Sequence, residues 1–579
     1  MASGFVGNDA GSADILSAGA SEACVEFDVM KQPVRAAALN AGKMPAPPPP
    51  KDAAAVILLR HNTNPSNPEV FWVKRSTKLA FLGGFYAFPG GQRDADDADI
   101  VVENCDDPES AAMISCAARE VFEETGVLLA RGAETLTAGQ RASLLDDLES
   151  KRMSWPGLLK HYGLHLDAND FTFVGRWLTP PFAPRRFDTR FFLVNCPAKQ
   201  EPRVDRDKES SLTVGLLPPG SGRQQPRAAG EAELESGQWI ATREAYAKWE
   251  RSKVLAVPPV LHALKTLSSG LADDLVSRFL STPNAHRKPV RRIEFQPNYI
   301  CFPVRTKTLP PATHTNAYLI YNSSEILIID PGSSYEDEQQ ALAACVDDLI
   351  AQGRSVNQIV LTHVHPDHIA GVNALNYHFK ETQGASVPVA AHSLTAESLK
   401  NQVSVDRFIE DNEVLELNGE PSIKLRALHT PGHARGHLCF HDERTGALLT
   451  GDNIVGYGSV LVNPPEGNMH DYLLSLARMH TLPNLSFLFP GHGPAIANPY
   501  EKIDEYISHR LQREELILAA VRDGASTPKE IVAMVYTDVS PKAHAMAERA
   551  VLAHLEKLEA DGLVMRTSDG TYQAIPTNH

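Results

Sequence analysis

The sequence predicts an α/β protein of several domains, on three observations. Short apolar runs rich in β-branched and aromatic residues (53–60, 70–75, 171–178, 191–194, 318–320, 326–329, 358–361, 387–391 and 487–489) alternate with helical stretches, the pattern of sheets covered by helices. At 579 residues the chain is too long for one core, so three or four domains are expected. The stretch 501–579 departs from this alternation and reads as three helices followed by a hairpin, a winged-helix outline.

Residues 1–50 read as a disordered tail ending in the extended linker Pro45-Ala-Pro-Pro-Pro-Pro50. The Gly-, Ala- and Ser-rich start lacks the character of a targeting peptide. A first domain is expected over 51–280. Its strands at 53–60 and 70–75 flank the turn-forming 62–68, and an amphipathic helix at 110–124 closes on Gly126 as C-terminal cap. Further strands at 171–178, 191–194 and 238–240 are interrupted by a Pro/Gly/Arg-rich loop at 218–230, before a helical stretch at 244–279 and a linker near 281–289. A second domain is expected over 290–500 and a third over 501–579. In the third, helices at 503–522 and 543–560 bracket one opened by the capping box Thr527-Pro-Lys-Glu530, and strands at 563–566 and 572–575 flank a Ser-Asp-Gly turn.

Composition excludes several roles. A net charge of −16 leaves no basic surface for non-specific nucleic-acid binding. Apolar content of 43% and charged content of 22% are ordinary for a soluble globular protein. No uncharged apolar run is long enough to span a membrane. Cys24, Cys105, Cys116, Cys196, Cys301, Cys345 and Cys439 are dispersed with no CxxC pair, which points to reduced thiols in a cytoplasmic compartment. The closing Pro-Thr-Asn-His is not a peroxisomal address, in keeping with that expectation.

The densest chemistry lies in Leu361-Thr-His-Val-His-Pro-Asp-His-Ile-Ala-Gly371. It sets His363, His365, Asp367 and His368 in a loop after an apolar run, a placement unsuited to core packing. Isolated candidates follow in Gly-rich turns: His433 in Thr430-Pro-Gly-His433, Asp452 in Thr450-Gly-Asp452 and His492 in Pro490-Gly-His492. Imidazole and carboxylate donors suit Zn²⁺, and Mn²⁺ or Fe²⁺ less exclusively; with no thiolate in the set, an open catalytic site is favoured over a structural one. His429, His437 and His441 crowd the third motif and read as packing or substrate-edge residues.

These motifs resemble the metallo-β-lactamase superfamily over roughly 300–500. The resemblance implies an αββα sandwich with two metal ions at its edge. His363, His365 and His433 would hold the first ion, Asp367, His368 and His492 the second, and Asp452 would bridge them. Asp330, in Ile328-Ile-Asp-Pro-Gly332, would orient the site by hydrogen bonds to its ligands. Such ions acidify a bound water and polarise the scissile carbonyl or phosphoryl group, with Asp452 and Asp367 as catalytic carboxylates.

In the first domain, Ala117-Ala-Arg-Glu-Val-Phe-Glu-Glu-Thr-Gly-Val127 places Glu120, Glu123 and Glu124 on one helical face. Three carboxylates there repel one another unless a cation sits among them, and oxygen ligands favour Mg²⁺ or Mn²⁺. Arg119 can pair with Glu123 one turn on, and Phe88-Pro-Gly-Gly91 supplies a tight turn beside the helix. These segments are similar to the Nudix box, a likeness covering roughly 50–270. It implies an α/β/α sandwich that hydrolyses diphosphates, with Glu120 and Glu123 catalytic. Residues 95–108 are an insertion that breaks the motif, and Asp94 stands at or near the place of the family's first Glu. Arg75-Ser76, Trp177-Leu-Thr-Pro180 and Arg185-Arg-Phe-Asp-Thr189 resemble the coenzyme A diphosphatase branch.

The expected function is a bifunctional metal-dependent hydrolase acting on small molecules (coenzyme A, nucleotide or thioester compounds) or on single-stranded RNA. The tail motifs Tyr506-Ile-Ser-His-Arg510 and Arg513-Glu514 resemble the beta-lactamase-like protein 2 group, which implies ribonuclease activity. The run His429-Thr-Pro-Gly-His-Ala-Arg-Gly-His437 is more like glyoxalase II, a thioesterase; in that alternative the Nudix head is degenerate. A third alternative is an RNA-binding scaffold using the winged helix. Against it, 501–579 carries 9 Lys/Arg and 13 Asp/Glu, a balance of −4, so a lid or homodimer contact suits this domain equally.

Overall fold

The computed structural model describes residues 48–79, 82–181, 183, 185–204, 233–281, 291–537 and 541–576. The tail expected at 1–50, save its last three residues, lies outside the described residues, as do the 218–230 loop and most of the 281–289 linker.

The strand Lys51–Leu59 explains its own unbroken apolar run. Ala54, Val56 and Leu58 point into one core with the helix Pro108–Thr125. Ala55, Ile57 and Leu59 point into another with the helices Thr242–Glu250 and Pro258–Ser268. A strand covered on both faces cannot alternate with polar residues, and each large side chain buried this way contributes about 1.5–3 kcal/mol. The strand pairs in parallel with Phe187–Asn195 and antiparallel with Glu69–Arg75. Thr172–Leu178, Tyr86–Ala87, Gly90–Gln92 and Leu234–Ala241 complete a seven-stranded sheet between two helical layers.

Residues 293–490 form two sheets face to face. The seven-stranded sheet runs Ile293–Gln296, Tyr299–Arg305, His314–Tyr321, Glu325–Ile329, Ser355–Val360, Val389–Ala391, Arg407–Phe408. The five-stranded sheet runs Val414–Leu417, Ile423–His429, Leu438–Asp442, Ala447–Gly451, Phe487–Pro490. Tyr299, Tyr318 and Leu327 meet Leu425, Phe440 and Leu449 between them, and Phe489 stacks on Tyr299 with centroids 5.9 Å apart. Helices Glu336–Ile350 and Val372–Gln383 cover one outer face; Met469–His480 and Pro499–Arg522 cover the other. This is the αββα order that the resemblance implies.

Phe85 and Leu255 of the first unit join the core between the two sheets, and Trp249 Nε1 donates to the Phe295 carbonyl at 2.9 Å. The first unit is thereby seated on the edge strand Ile293–Gln296. At the C-terminus the helices Pro528–Val535 and His544–Ala560 pack with the end of Pro499–Arg522, and Val564–Arg566 pairs with Tyr572–Ala574. The Thr527–Glu530 capping box is present. No described helix is long and apolar enough to cross a membrane.

Candidate functional site

The metal-capable side chains collect where strands end at one edge of the facing sheets. The strand Ser355–Val360 runs out into Thr362-His-Val-His365, and His365 then caps the short helix Pro366–Ile369, which carries Asp367 and His368. His433 follows the strand Ile423–His429, Asp452 follows Ala447–Gly451, and His492 follows Phe487–Pro490.

The structure brings all seven residues together. His365 Nδ1 lies 2.9 Å from His363 Nε2 and 3.0 Å from His433 Nε2. Asp452 Oδ1 is 3.3 Å from His368 Nε2, and Asp452 Oδ2 is 3.3 Å from His492 Nε2 and 3.7 Å from His433 Nε2. Asp367 Oδ2 is 3.4 Å from His492 Nε2. These seven donors form two groups capable of holding a metal, His363, His365, His433 and Asp452, and Asp367, His368 and His492; a third such group, Asp330, His363 and His368, lies behind the rings. Asp452 touches both of the first two groups.

Hydrogen bonds on the far side of the rings fix which nitrogen faces the cluster. His433 Nδ1 donates to the Leu461 carbonyl at 2.9 Å, and His492 Nδ1 to the His314 carbonyl at 2.7 Å. His368 Nδ1 donates to Asp330 Oδ2 at 2.8 Å. His363 Nδ1 donates to Thr362 Oγ1 at 2.9 Å, and that hydroxyl donates to Asp330 Oδ2 at 2.6 Å. Each Nε2 therefore faces inward, the nitrogen a neutral ring would offer to a metal. Asp330 also accepts the Thr362 N–H at 2.8 Å and holds a φ of 50°, a strained conformation for a non-glycine residue.

A divalent cation fits this donor set. Lone pairs of several rings converge within about 3 Å, an arrangement that repels itself without a positive charge between them. His368 Nε2, His492 Nε2 and Asp452 Oδ1 are buried without a hydrogen-bond partner among the described residues, and buried polar atoms of native proteins are otherwise satisfied. Burial opposes the charges on Asp452 and Asp367, yet His492 and His368 outweigh it and hold both carboxyls below the usual range. Burial and its neighbouring rings push His433 down to about 3, keeping it neutral and able to ligate.

His437, read from the sequence as packing, has a more specific place. Its Nε2 accepts the Asp452 backbone N–H at 3.1 Å, and its Nδ1 faces Thr430 Oγ1 at 3.1 Å. It thus fixes the backbone of the residue shared by both groups. Crowding alone did not reveal this; only the approach of Gly451 does, since a Cβ there would lie 2.6 Å from His437 Nε2. His429 instead stacks on His392 at 4.1 Å, and His441 is buried along its strand.

Gly491 is required for space. A Cβ at this position would stand 2.5 Å from Asp452 Oδ1 and 2.8 Å from His368 Cε1. Gly491→Ala is expected to weaken divalent-ion binding about 10- to 100-fold and to cost about 1–3 kcal/mol of stability through overpacking. Chelator competition and thermal unfolding read the two effects, and wild-type ion affinity would show that Asp452 need not sit where it does.

The second group of carboxylates lies on the first sheet unit. Arg119, 5% exposed, donates from Nε and Nη2 to Asp97 at 3.1 and 2.9 Å. Its Nη1 donates to Glu120 at 2.8 Å and to Glu123 at 2.9 Å. Glu124 Oε2 accepts the Gly90 N–H at 2.8 Å. Glu120 lies under the Gly-Gly turn, where a Cβ on Gly91 would be 2.3 Å from Oε2. Burial, with Glu123 adding repulsion, raises the Glu120 carboxyl to about 7.

The acid in closest contact with Arg119 is Asp97 rather than Asp94. The 3₁₀ turn Ala95–Asp99 carries Asp97 inward to full burial, while Asp94 caps that turn with its carboxylate 3.9 Å from Arg119. The run Asp94-Ala-Asp-Asp97-Ala-Asp99 offers several acids, and spacing could not choose among them. In space the insertion leaves the Gly-Gly turn beside the acidic helix. Its strand Val102–Glu103 pairs with Leu166–Asp167 and returns the chain through Asp107, which caps the helix Pro108–Thr125 beside the Gly-Gly turn.

Facing sheets, flanking helices and an edge cluster of histidines and aspartates define a metal-dependent hydrolase. Residues 310–492 match the family model of the metallo-beta-lactamase superfamily, and 527–573 match that of the beta-lactamase associated winged helix domain. A "Beta-lactamase-like protein 2 homolog" of Caenorhabditis elegans is 28% identical over 264 residues, 45% of this chain and 84% of that protein. An "Atrochrysone carboxyl ACP thioesterase" of Aspergillus chevalieri is 33% identical over 247 residues, 40% of this chain and 71% of that protein. A solved NUDIX hydrolase from Alicyclobacillus acidocaldarius is 28% identical, covering 40% of this chain and 96% of its own, at a TM-score of 0.30. The chain belongs to the metallo-β-lactamase superfamily, is a hydrolase of that fold carrying the associated winged helix, and by that fold uses divalent metal ions.

Proposed function

We propose that the chain is a two-headed hydrolase of coenzyme A-type compounds: a thioesterase at the His/Asp centre and a Nudix-type diphosphatase at the acidic helix. The observation that carries the first head is Asp452, shared between two histidine groups and anchored through its backbone by His437. His363, His365 and His433 would hold one zinc ion, Asp367, His368 and His492 a second, and Asp452 both. When bound, such ions supply an acidified water and an electrophile for the carbonyl oxygen. The protein's part is to orient the ligands, through Asp330 and Thr362, to keep His433 neutral, and to keep Asp452 and Asp367 ionised as proton acceptors.

At the second head, Glu120, Glu123 and Glu124 would hold Mg²⁺ or Mn²⁺, which neutralises diphosphate charge when bound. Arg119, fixed by Asp97, holds Glu120 and Glu123 in place. A carboxyl raised to about 7 on Glu120 is suited to taking a proton near neutral pH.

The choice of thioester over RNA follows charge and likeness. Residues 501–579 carry a net −4, without the basic face a nucleic-acid reader needs, and one relative is named a carrier-protein thioesterase. Coenzyme A thioesters also contain the diphosphate that the second head would cut. The purified protein with zinc is expected to hydrolyse acyl-coenzyme A, to do so far less after chelation, and to leave single-stranded RNA intact. Chelator-sensitive cleavage of RNA with acyl-coenzyme A untouched would reverse the assignment.

A further inference from the structure

The helix Pro499–Arg522 belongs to two cores, packing under the five-stranded sheet at Ile503 and Tyr506 and into the C-terminal domain at Ile517 and Val521. Two of its residues, one turn apart, reach back toward the His/Asp centre. The Tyr506 hydroxyl accepts the Val455 N–H at 3.2 Å and lies 3.2 and 3.4 Å from the carbonyls of Val455 and Gly458. Arg510, 5% exposed, donates from Nη2 to Ser459 Oγ at 3.1 Å and to the Val460 carbonyl. Its guanidinium also lies 5.3 Å over the ring of Tyr472.

What these side chains grip is irregular backbone. Between the strand Ala447–Gly451 and the helix Met469–His480 the chain forms no strand or helix and has only isolated backbone bonds, such as Gly456 N–H to the His492 carbonyl at 2.8 Å, so the side chains that hold it help to set its course. The gripped residues run directly into Leu461, whose carbonyl accepts from His433 Nδ1 at 2.9 Å. The Tyr472 backbone beneath Arg510 abuts Gly432, where a Cβ would meet Tyr472 Cα at 2.2 Å, so the residue preceding His433 is seated on the same support. A guanidinium is costly to bury, and here its Nη2 ends on oxygens of this loop rather than on a carboxylate.

We propose that Tyr506 and Arg510 are positioning residues for the metal centre. They clamp residues 455–461 so that the Leu461 carbonyl keeps His433 with Nε2 turned toward His363 and His365. The inference rests on the metal reading above and makes the helix entering the winged-helix domain part of the hydrolase site.

The test measures zinc affinity of the full-length protein by competition with a chromophoric chelator, together with the visible spectrum of the cobalt-substituted protein. Arg510→Met is expected to weaken the ion at His363, His365 and His433 about 10-fold, and to shift its cobalt bands. The ion at Asp367, His368 and His492 is expected to stay bound, and Arg510→Lys to recover part of the loss. Tyr506→Phe removes only a hydroxyl and is expected to give a smaller change of the same kind, so it decides the matter should Arg510→Met fail to fold. Val551→Ala loosens the C-terminal domain's own core and is expected to lower Tm with zinc affinity unchanged. Wild-type affinity and spectrum in Arg510→Met and Tyr506→Phe would overturn the clamp, as would an equal loss of affinity in Val551→Ala. Wild-type protein that takes up neither zinc nor cobalt would instead sink the metal reading, and the clamp with it.

Discussion

His365→Ala is expected to remove zinc-dependent hydrolysis, lowering kcat/KM by roughly 10³-fold or more, since a metal's charge stabilisation of several kcal/mol is at stake and each ~1.4 kcal/mol is tenfold. His365 suits this experiment because it is only partly buried and precedes a four-residue helix, whereas His363 is fully buried. Removing the His365 ring opens little core, so Tm should stay close to wild type while ion affinity falls. His365 Nδ1 lies within 3.0 Å of both His363 Nε2 and His433 Nε2, so its loss strips a donor from the middle of the first group. Undiminished turnover of acyl-coenzyme A by the variant would refute the proposed first head.

Glu123→Gln carries the second large effect, at the other head. Glu123 is 31% exposed in its side chain and accepts from Arg119 Nη1 at 2.9 Å. The amide preserves volume but cancels one of three charges proposed to hold Mg²⁺ or Mn²⁺. Diphosphate cleavage is expected to fall about 10²- to 10³-fold, the scale seen when a preorganised electrostatic group is lost. Thioester hydrolysis should be unchanged, because the acidic helix packs on a different sheet from the histidine cluster. Loss of both activities would contradict independent heads, and full retention of diphosphate cleavage would show that the acidic helix is not the site.

The two candidate sites were legible in the sequence to different degrees. The histidine motif could be read because its ligands sit in Gly-rich turns directly after apolar runs, and strand ends place such turns at a sheet edge. The acidic helix could be read because i, i+3 and i+4 spacing puts Glu120, Glu123 and Glu124 on one face. Asp97 could not be singled out, since its burial depends on a 3₁₀ turn within the inserted segment. His437 looked like a neighbour of the motif, and its bond to the Asp452 N–H lies across the open end of the hairpin Leu438–Asp442/Ala447–Gly451, a pairing that emerges only once those strands are in register.

From the sequence by itself came the alternation that defines an α/β protein, the identity of the seven clustered donors, the helical carboxylate face and the outline of the C-terminal domain. All are local properties, set by side-chain periodicity, turn chemistry and residue type. Tertiary structure alone decided which nitrogen of each histidine faces inward, which acid holds Arg119, and that a helix entering the C-terminal domain grips the loop behind His433. Those outcomes depend on contacts between residues tens or hundreds of positions apart, such as His492 Nδ1 on the His314 carbonyl, and they form only when separate strands and helices pack into one core.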